Sequence, residues 1–475
     1  MLIFLVLFPL LLGGIALILP SERYRCWLLP LAGGVHLCGV IFVAYEDLPV
    51  GNLWIGLDPL SLLVLLVCSI LYFACSVYAL SYLQLRSDRG TRNIVACLLL
   101  FLSALTLAAS ARHLGLLWMA VETTTVASAP LIYYNRNRLS IEATWKYLLI
   151  CSVGIALAML GMLFVAYAAL MGGAEVTLQF DQLLAESTQL SPTWLRAGFV
   201  FLLVGFGTKM GLAPLHSWKP DAYGEAPGMI GALLAGGLTS ISFLAILRGV
   251  QLMNAAGMGD LARHQLLAMG VLSLLFAAIF MVRQTDVKRM LAYSSVEHMG
   301  ILAIGIGIGG LGTFGALLHM VNNSLTKGCM FLSVGNIHRA FASKKIADIH
   351  GAMRRLPISG TIFLAGFIAV TGSPPFGPFI SEFMVLRGIF AAGHYWLAGA
   401  FLVLLAIVFI GMGSTVLGMV QGAADEPHET DFKDTFLLVA PPLVLLLLVL
   451  ILGLYLPPPL RRLLDDAVAL LEVKP

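Results

Sequence analysis

Residues 205–214 read Gly-Phe-Gly-Thr-Lys-Met-Gly-Leu-Ala-Pro, which places Lys209 inside a long apolar segment. A second apolar segment, residues 117–124, carries Glu122. Both segments are apolar enough to lie in a bilayer, where an ionised side chain costs from about 3 to more than 10 kcal/mol. Such a group persists only beside a partner or a water-filled path. The two segments therefore predict a membrane protein with an internal route for ions.

The composition supports the membrane class. The 475 residues are 59% apolar and 11% charged, whereas a soluble domain is about 25% charged. The net charge of +3 is small and dispersed, which argues against nucleic-acid binding. The seven cysteines form no C-x-x-C pair and join no histidines at zinc spacing, so we predict packing roles for them and no metal or cofactor site. Residues 1–20 lack a leading basic region and are typical of a first transmembrane helix.

The length of the apolar runs sets the helix count, because a membrane-spanning helix needs about 20 apolar residues. The sequence predicts an all-α integral membrane protein, a single polytopic domain over residues 1–475, with about fourteen transmembrane helices. Their predicted centres lie near residues 10, 36, 70, 102, 123, 157, 207, 238, 272, 300, 326, 368, 408 and 446.

Two of these helices are predicted to be discontinuous. Glycine and proline interrupt the seventh helix at residues 209–214 and the twelfth at residues 372–378, and the freed carbonyls must face protein or water. Such breaks at matching positions mark the ion path of a transporter. Helices four to eight and nine to thirteen then form two five-helix repeats, and the odd number makes the second inverted. The predicted regions are 1–85 (helices one to three), 93–252 (first repeat), 261–421 (second repeat) and 435–475 (helix fourteen and a short tail).

The distribution of basic residues orients the chain. One set of alternate loops holds eighteen lysines and arginines, and the opposite side holds eight, including Lys474. The richer loops are 21–26, 86–92, 135–146, 216–225, 283–289, 338–355 and 421–434. The opposite loops carry acidic or polar residues, such as Glu46 and Asp47. The positive-inside rule predicts a multi-pass protein whose richer loops face the cytoplasm and whose two termini lie outside.

Buried ionisable residues predict a proton path. An ion pair of Glu122 and Lys209 would keep both groups charged while closed, and its separation would let Lys209 release a proton. On the eleventh helix, His319, Asn323 and Lys327 are spaced i, i+4, i+8 and share one face. Histidine titrates nearest physiological pH, which suits a relay. Glu382, after the second break, would be the terminal site of the second half.

Other polar residues are secondary candidates. His298 lies near the start of the tenth helix, where an interfacial position is also open. Lys146 lies near a helix end, as do Arg248, Asp286 and Lys288, and for these four a salt bridge or interfacial anchor is an equal alternative.

The motifs resemble those of a known superfamily. Residues 207–227, which include His216 and Asp221, resemble the seventh-helix signature of the antiporter-like subunits of respiratory complex I, and residues 287–300 resemble their tenth-helix start. Residues 140–150 and 368–378 are most similar to the F-type subunits of hydrogenase-4. The resemblance implies the fourteen-helix fold without bound cofactor, in the plasma membrane of a bacterium or archaeon. It also implies that Glu122 and Lys209 form the input pair, that His319 and Lys327 lie on a central polar axis, and that Glu382 is the terminal site.

The sequence departs from this pattern in two places. Many relatives carry a lysine or histidine in the eighth helix, where this chain offers only Thr239, Ser240 and Ser242, so a complete first-half relay would require water held by these hydroxyls. Asn323 occupies a position where some relatives have a second histidine.

The leading hypothesis is a proton-translocating subunit of a redox-driven complex of the hydrogenase-4, formate hydrogenlyase or NADH dehydrogenase type. Its partners would be other membrane subunits and a peripheral redox arm. Two transport alternatives stay open: a sodium/proton antiporter subunit of the Mrp type, and the membrane subunit of an inorganic-carbon uptake complex. An enzyme acting alone, for instance on quinone, is disfavoured because the sequence has no flavin, haem or cluster motif.

Overall fold

The computed structural model describes residues 1–46, 48–86, 89–423 and 430–472. Asp47, Lys474 and parts of the predicted loops 86–92 and 421–434 lie outside these residues. The described chain is helical apart from its loops and one small hairpin, in which β1 (Val50–Gly51) pairs antiparallel with β2 (Gly56–Leu57). The predicted all-α class is therefore correct except for four residues.

The described residues form twenty α-helices. In chain order they are α1 (Leu2–Ile18), α2 (Glu22–Val43), α3 (Pro59–Gln84), α4 (Arg92–Ser110), α5 (Leu114–Ile132), α6 (Arg138–Gly172), α7 (Phe180–Ala185), α8 (Pro192–Met210), α9 (Lys219–Glu225), α10 (Gly228–Ala232), α11 (Thr239–Ala255), α12 (Gly259–Met281), α13 (Val287–Ile308), α14 (Leu311–Phe341), α15 (Ala352–Arg355), α16 (Pro357–Val370), α17 (Gly377–Ala391), α18 (Tyr395–Gln421), α19 (Phe436–Leu454) and α20 (Pro458–Leu471).

Ten helical segments among the described residues are long and apolar enough to cross a membrane. They are α2, α3, α4, α5, α6, the continuous α10–α11 segment, α12, α13, α18 and α19. A π-helical turn, Leu233–Leu238, joins α10 to α11. Each of the fourteen predicted centres falls within a helical segment. The multi-pass class is confirmed, and the predicted tail contains a further helix, α20.

The two predicted breaks are present. Helix α8 ends at Met210, where Gly211 takes a left-handed conformation with φ 82°, and α9 begins only at Lys219. Helix α16 ends at Val370, Gly372 has φ 65°, and α17 begins at Gly377. A positive φ is readily adopted by glycine because it has no Cβ, and the prolines that follow cannot continue the first half-helix.

The centre of the protein is built from α14 and the α10–α11 segment. Every residue of that segment from Gly228 to Met253 is buried inside the protein, and α14 packs against α3, α10, α13, α16, α17 and α19. Polar side chains on α14 consequently face other helices instead of lipid. This packing positions the candidate site.

Two pairs of helices approach each other closely through glycines. A Cβ on Gly205 of α8 would lie 2.6 Å from the carbonyl oxygen of Gly154 in α6, and one on Gly300 of α13 would lie 2.8 Å from that of Gly270 in α12. Small residues at such contacts allow backbones to pack in a membrane, where no hydrophobic effect drives helices together.

Candidate functional site

Lys209 lies in the last turn of α8 with its side chain completely buried. Its Nζ donates to Thr125 Oγ1 of α5 at 2.6 Å and to Tyr147 Oη of α6 at 2.8 Å, and it lies 4.7 Å from the centre of the Tyr147 ring. A third hydroxyl, Ser128 Oγ, lies 2.7 Å from Tyr147 Oη. The first break thus presents a lysine to a chain of hydroxyl groups.

Glu122 lies one helical turn from Thr125, on the same face of α5. Thr125 Oγ1 donates to its carboxylate at 3.0 Å, and Ser152 Oγ of α6 donates to it at 3.3 Å. Glu122 is half-buried, and it makes no direct ion pair with Lys209. The expectation of a direct pair is therefore wrong for this conformation. The Thr125 hydroxyl lies between Lys209 and Glu122, because on α5 this hydroxyl is closer to Lys209 than the Glu122 carboxylate is.

Lys327 on α14 repeats this arrangement. Its Nζ donates to Ser294 Oγ of α13 at 2.6 Å, and Ser294 Oγ lies 3.5 Å from the Glu297 carboxylate. All three side chains are buried. Lysine, hydroxyl and glutamate therefore occur twice, with the hydroxyl and the carboxylate three residues apart on one helix each time.

Two histidines continue the polar chain toward the second break. His298 Nδ1 of α13 lies 2.9 Å from His319 Nε2 of α14, and His319 Nδ1 lies 2.9 Å from Ser381 Oγ of α17. Both rings are completely buried. His298 lies in the middle of α13, not near its start, and α13 packs between α12 and α14.

Glu382 follows Ser381 on α17. Its carboxylate and one nitrogen of each histidine, His298 and His319, all lie within 4.8 Å of one another. Three such donors are the number of protein ligands in many catalytic zinc sites. Two of the ring nitrogens already bond to each other, however, so a metal would have to replace that contact. The arrangement is better suited to passing a proton between neighbouring groups.

A surface cavity of about 400 Å³ adjoins Glu382. It is bounded by the break after α16, by α17 and by α18, and Thr371 and Ser373 contribute polar groups to its lining. Gly372 provides the space for the carboxylate, since a Cβ there would lie 2.0 Å from Glu382 Oε2. The second break therefore both bends the chain and exposes an acid to a cavity.

The sequence matches a family profile described as NADH:quinone oxidoreductase/Mrp antiporter, TM, over residues 111–409. This match covers more than half of the chain and includes both breaks. The chain belongs to this antiporter family.

Full-length comparisons agree with the antiporter family. The chain is 34% identical over 465 residues to the hydrogenase-4 component F homolog of Methylacidiphilum infernorum, covering 95% of this chain and 96% of that protein. Its fold is similar to a chain of respiratory complex I from Thermus thermophilus, with TM-score 0.84, 23% identity and coverage of 99% and 100%. A chain of the Mrp complex from Dietzia gives TM-score 0.85, 18% identity and coverage of 98% and 96%. The predicted resemblance is confirmed.

Several secondary candidates lie away from the buried polar groups described above. Lys146 Nζ pairs with Glu142 at 2.7 Å and with Asp221 at 3.0 Å, and Arg289 pairs with Asp221 at 3.1 Å. This partly exposed cluster joins α6, α9 and α13 by surface salt bridges. His216 is buried beside Phe276 and Tyr293 and has no hydrogen-bond partner for Nδ1 in the described chain.

The hydroxyl groups predicted in the eighth transmembrane helix lie in α11 and bond to the backbone of their own helical segment. Thr239, Ser240 and Ser242 each donate to the carbonyl four residues earlier, at 2.6–2.8 Å, and Ser240 also contacts Ser324. None of the three hydroxyls contacts Lys209 or Lys327. Asn323, by contrast, is buried with no protein partner for its amide oxygen or nitrogen among the described residues.

Sequence reasoning missed two buried ions. Glu297 is not among the predicted site residues, although a carboxylate flanked by Val296 and His298 in an apolar helix is itself a signal. Lys219 was counted as a basic residue of the cytoplasmic loop 216–225. The structure corrects this, because Lys219 begins α9 and is completely buried.

A polar cavity of about 380 Å³ lies at the other end of α9. Gly224 and Glu225 line it together with Lys288, His338 and Lys344 of neighbouring segments. Lys344 Nζ also pairs with Asp286 at 3.2 Å. These residues belong to the basic loops predicted to face the cytoplasm.

Proposed function

We propose that this antiporter-family member is the proton-translocating membrane subunit of a redox-driven complex. The observation that carries the proposal is a group of buried titratable side chains: Lys327, and His298, His319 and Glu382, whose donor atoms lie within 4.8 Å of one another, together with the Lys209 cluster at the first break. Charged groups at this depth are costly and typically mark ion pathways or proton relays. Lysine, histidine and glutamate accept and release protons, whereas sodium sites prefer clustered oxygen ligands.

The route has two halves. In the first, Glu122 and Lys209 exchange a proton through the Thr125 hydroxyl. In the second, Lys327 and Glu297 supply the His298–His319 pair, which hands the proton through Ser381 to Glu382 and the adjoining cavity. The Asn323 amide, one turn from both His319 and Lys327, is suited to bind water on this route. The polar cavity beside Glu225 is the cytoplasmic entrance.

The fourteen-helix topology belongs to the same proposal. Helices α4, α5, α6, α8–α9 and α10–α11 form the first repeat, and α12, α13, α14, α16–α17 and α18 form the second. The succession of packed neighbours is the same in both sets, and each contains a break in its fourth member. Both termini face outward. A cysteine added at the C-terminus should react with an impermeant maleimide in intact cells, and labelling only after permeabilisation would contradict this topology.

Glu122 also indicates a partner surface. Its carboxylate reaches the outer face formed by α5 and α6, where Leu149 and Val153 are exposed. A carboxylate facing lipid is unfavourable, so a neighbouring membrane subunit covers this face. The relative from Methylacidiphilum carries a hydrogenase-4 name, which supports a redox arm in the same complex. A photo-crosslinker at Leu149 should capture a co-purifying membrane subunit, and crosslinks to lipid alone would contradict this.

The function is tested with the complex purified through this chain and reconstituted in liposomes. A potassium diffusion potential drives proton flux, which an enclosed pH dye reports. Lys209→Ala should reduce flux at least tenfold while the complex still assembles, because the half-buried Glu122 carboxylate still accepts from the Thr125 and Ser152 hydroxyls. Lys433→Met, on an exposed loop residue, is the matched control and should stay within twofold of wild type. Equal flux in Lys209→Ala and wild type, or flux that follows sodium instead of pH, would overturn the proposal.

A further inference from the structure

Lys219 is a third buried lysine, between the two clusters described above. It is the first residue of α9, and its side chain folds back over the break so that a Cβ on Gly211 would lie 2.3 Å from Lys219 Cε. Its Nζ lies 3.3 Å from Ser295 Oγ of α13. Ser295 is next in sequence to Ser294, whose hydroxyl accepts a hydrogen bond from Lys327. Lys219 therefore reaches from the first break to the helix that carries the second-half groups.

The surroundings of Lys219 contain cations and neutral groups. Lys327, His298, His216 and the Cys151 thiol all lie within electrostatic range of it. Cys151 is also within range of Lys209, which places it near both lysines. Among the described residues, no carboxylate lies within ion-pair distance of Lys219 Nζ. A permanent ammonium would be strongly unfavourable there, whereas an amine that is charged only in transit is compatible with the site.

The two breaks share one packing feature, a contact between a glycine and a titratable side chain. In each break the glycine with positive φ packs directly against a titratable group of the following half-helix, Gly211 against Lys219 and Gly372 against Glu382. A methyl group at either glycine would collide with that titratable side chain. Lys219 therefore occupies in the first half the kind of position that Glu382 occupies in the second.

Lys219 is also a buried ionisable group suited to connect the Lys209 cluster of the first half with the Lys327 cluster of the second. The alternatives on α11, the hydroxyls of Thr239 and Ser242, donate to backbone carbonyls of their own helical segment and contact neither lysine cluster. Tyr147, which receives Lys209, packs its ring 5.0 Å from that of Trp218, the residue before Lys219. Lys219 thus shares the neighbour Cys151 with Lys209 and reaches Ser295, next to the serine bonded by Lys327.

We propose that Lys219 carries the proton between the two halves of the route, accepting it from the Lys209 side and passing it through Ser295 toward Lys327. The Lys219 amine lone pair takes up one proton as Lys209 loses one. The ammonium then gives a proton to the Ser295 hydroxyl as that hydroxyl releases one toward the Lys327 amine. One proton moves, and no bond between heavy atoms changes. This inference rests on the proposed function.

Three substitutions separate proton carriage from packing and from fixed charge. In the liposome assay, Lys219→Met should lower flux at least tenfold, because it keeps the length and apolar stem but cannot carry a proton. Lys219→Arg should also be at least tenfold low, since a guanidinium does not release its proton in the accessible pH range. Lys219→His should recover part of the flux, with its pH profile displaced to lower pH. Recovery by histidine would not follow from a packing role.

The outcomes distinguish this inference from the proposed function. Flux within twofold of wild type in Lys219→Met overturns the role of Lys219, and so does full flux in Lys219→Arg, which would indicate that a fixed charge suffices. The arginine and histidine variants carry the test if the methionine variant fails to assemble. If Lys219→Met conducts while Lys209→Ala does not, the inference fails and the proposed function stands. If wild type and Lys209→Ala conduct equally, the proposed function itself fails.

Discussion

Lys209 Nζ donates to Thr125 Oγ1 at 2.6 Å, and the same hydroxyl donates to the Glu122 carboxylate. A lysine and a glutamate on different helices are thus joined through one rotatable hydroxyl. A hydroxyl that accepts from one ion and donates to the other can transfer a proton by exchanging its own. The relay depends on this side chain as much as on the two ions.

Thr125→Val should therefore reduce proton flux about tenfold, because valine keeps the shape of threonine and removes the hydroxyl. A lost hydrogen bond to a charged group is worth about 1.5–3 kcal/mol, which is a factor of ten or more in a rate that depends on it. Thr125→Ser should remain within threefold of wild type. Thr123→Val is the matched control, since Thr123 donates only to the Met119 carbonyl of its own helix. Equal flux in Thr125→Val and wild type would remove the hydroxyl from the route.

Gly372→Ala should impair proton release at the second break. The added methyl would collide with the Glu382 carboxylate, and the backbone at φ 65° disfavours any Cβ. We expect flux to fall at least fivefold with the complex still assembled. Gly399→Ala on α18 is the control, because no atom lies within 4 Å of its added Cβ. An unchanged flux in Gly372→Ala would show that the position of the carboxylate is not critical.

Asp58 and Arg248 should contribute to stability instead of transport. Asp58 precedes α3, accepts from the Ser61 amide at 2.8 Å and pairs with Arg248 of α11 at 2.6 Å. Burial alone would raise the pKa of Asp58, but the Arg248 guanidinium and the Ser61 amide outweigh it, so the pKa lies below its usual value. Asp58→Asn should cost about 3 kcal/mol at pH 7, because it leaves a largely buried guanidinium without its counter-ion.

The pH dependence of this effect has a definite sign. A depressed pKa in the folded state means that the stabilisation is complete above the unfolded pKa of about 4 and is lost as pH falls through the folded value. The melting temperature of Asp58→Asn should therefore lie below that of wild type at both pH 7 and pH 5, by a similar margin. Asp465→Asn, which removes an exposed ion pair with Arg461, should change the melting temperature little. A difference that vanishes between pH 7 and pH 5 would contradict the assignment.

The sequence predicted the helices and breaks because both follow from local properties, the length of apolar runs and the placement of glycine and proline. It did not predict that Thr125 separates Glu122 from Lys209, since that depends on how α5 and α8 are placed around α6. Lys219 was misplaced for a related reason. The stretch from His216 to Glu225 contains enough charge and proline to resemble a loop, and only the tertiary fold shows that it re-enters the core as α9.

The most direct test of the proton route is flux through the reconstituted complex with Glu382→Gln. Glutamine keeps the size and polarity of glutamate but cannot carry a proton, so assembly should be preserved and flux should fall at least tenfold. Glu382→Asp, which keeps the acid and shortens its reach by one methylene, should retain partial flux. Proton flux in Glu382→Gln equal to that of wild type would contradict the account.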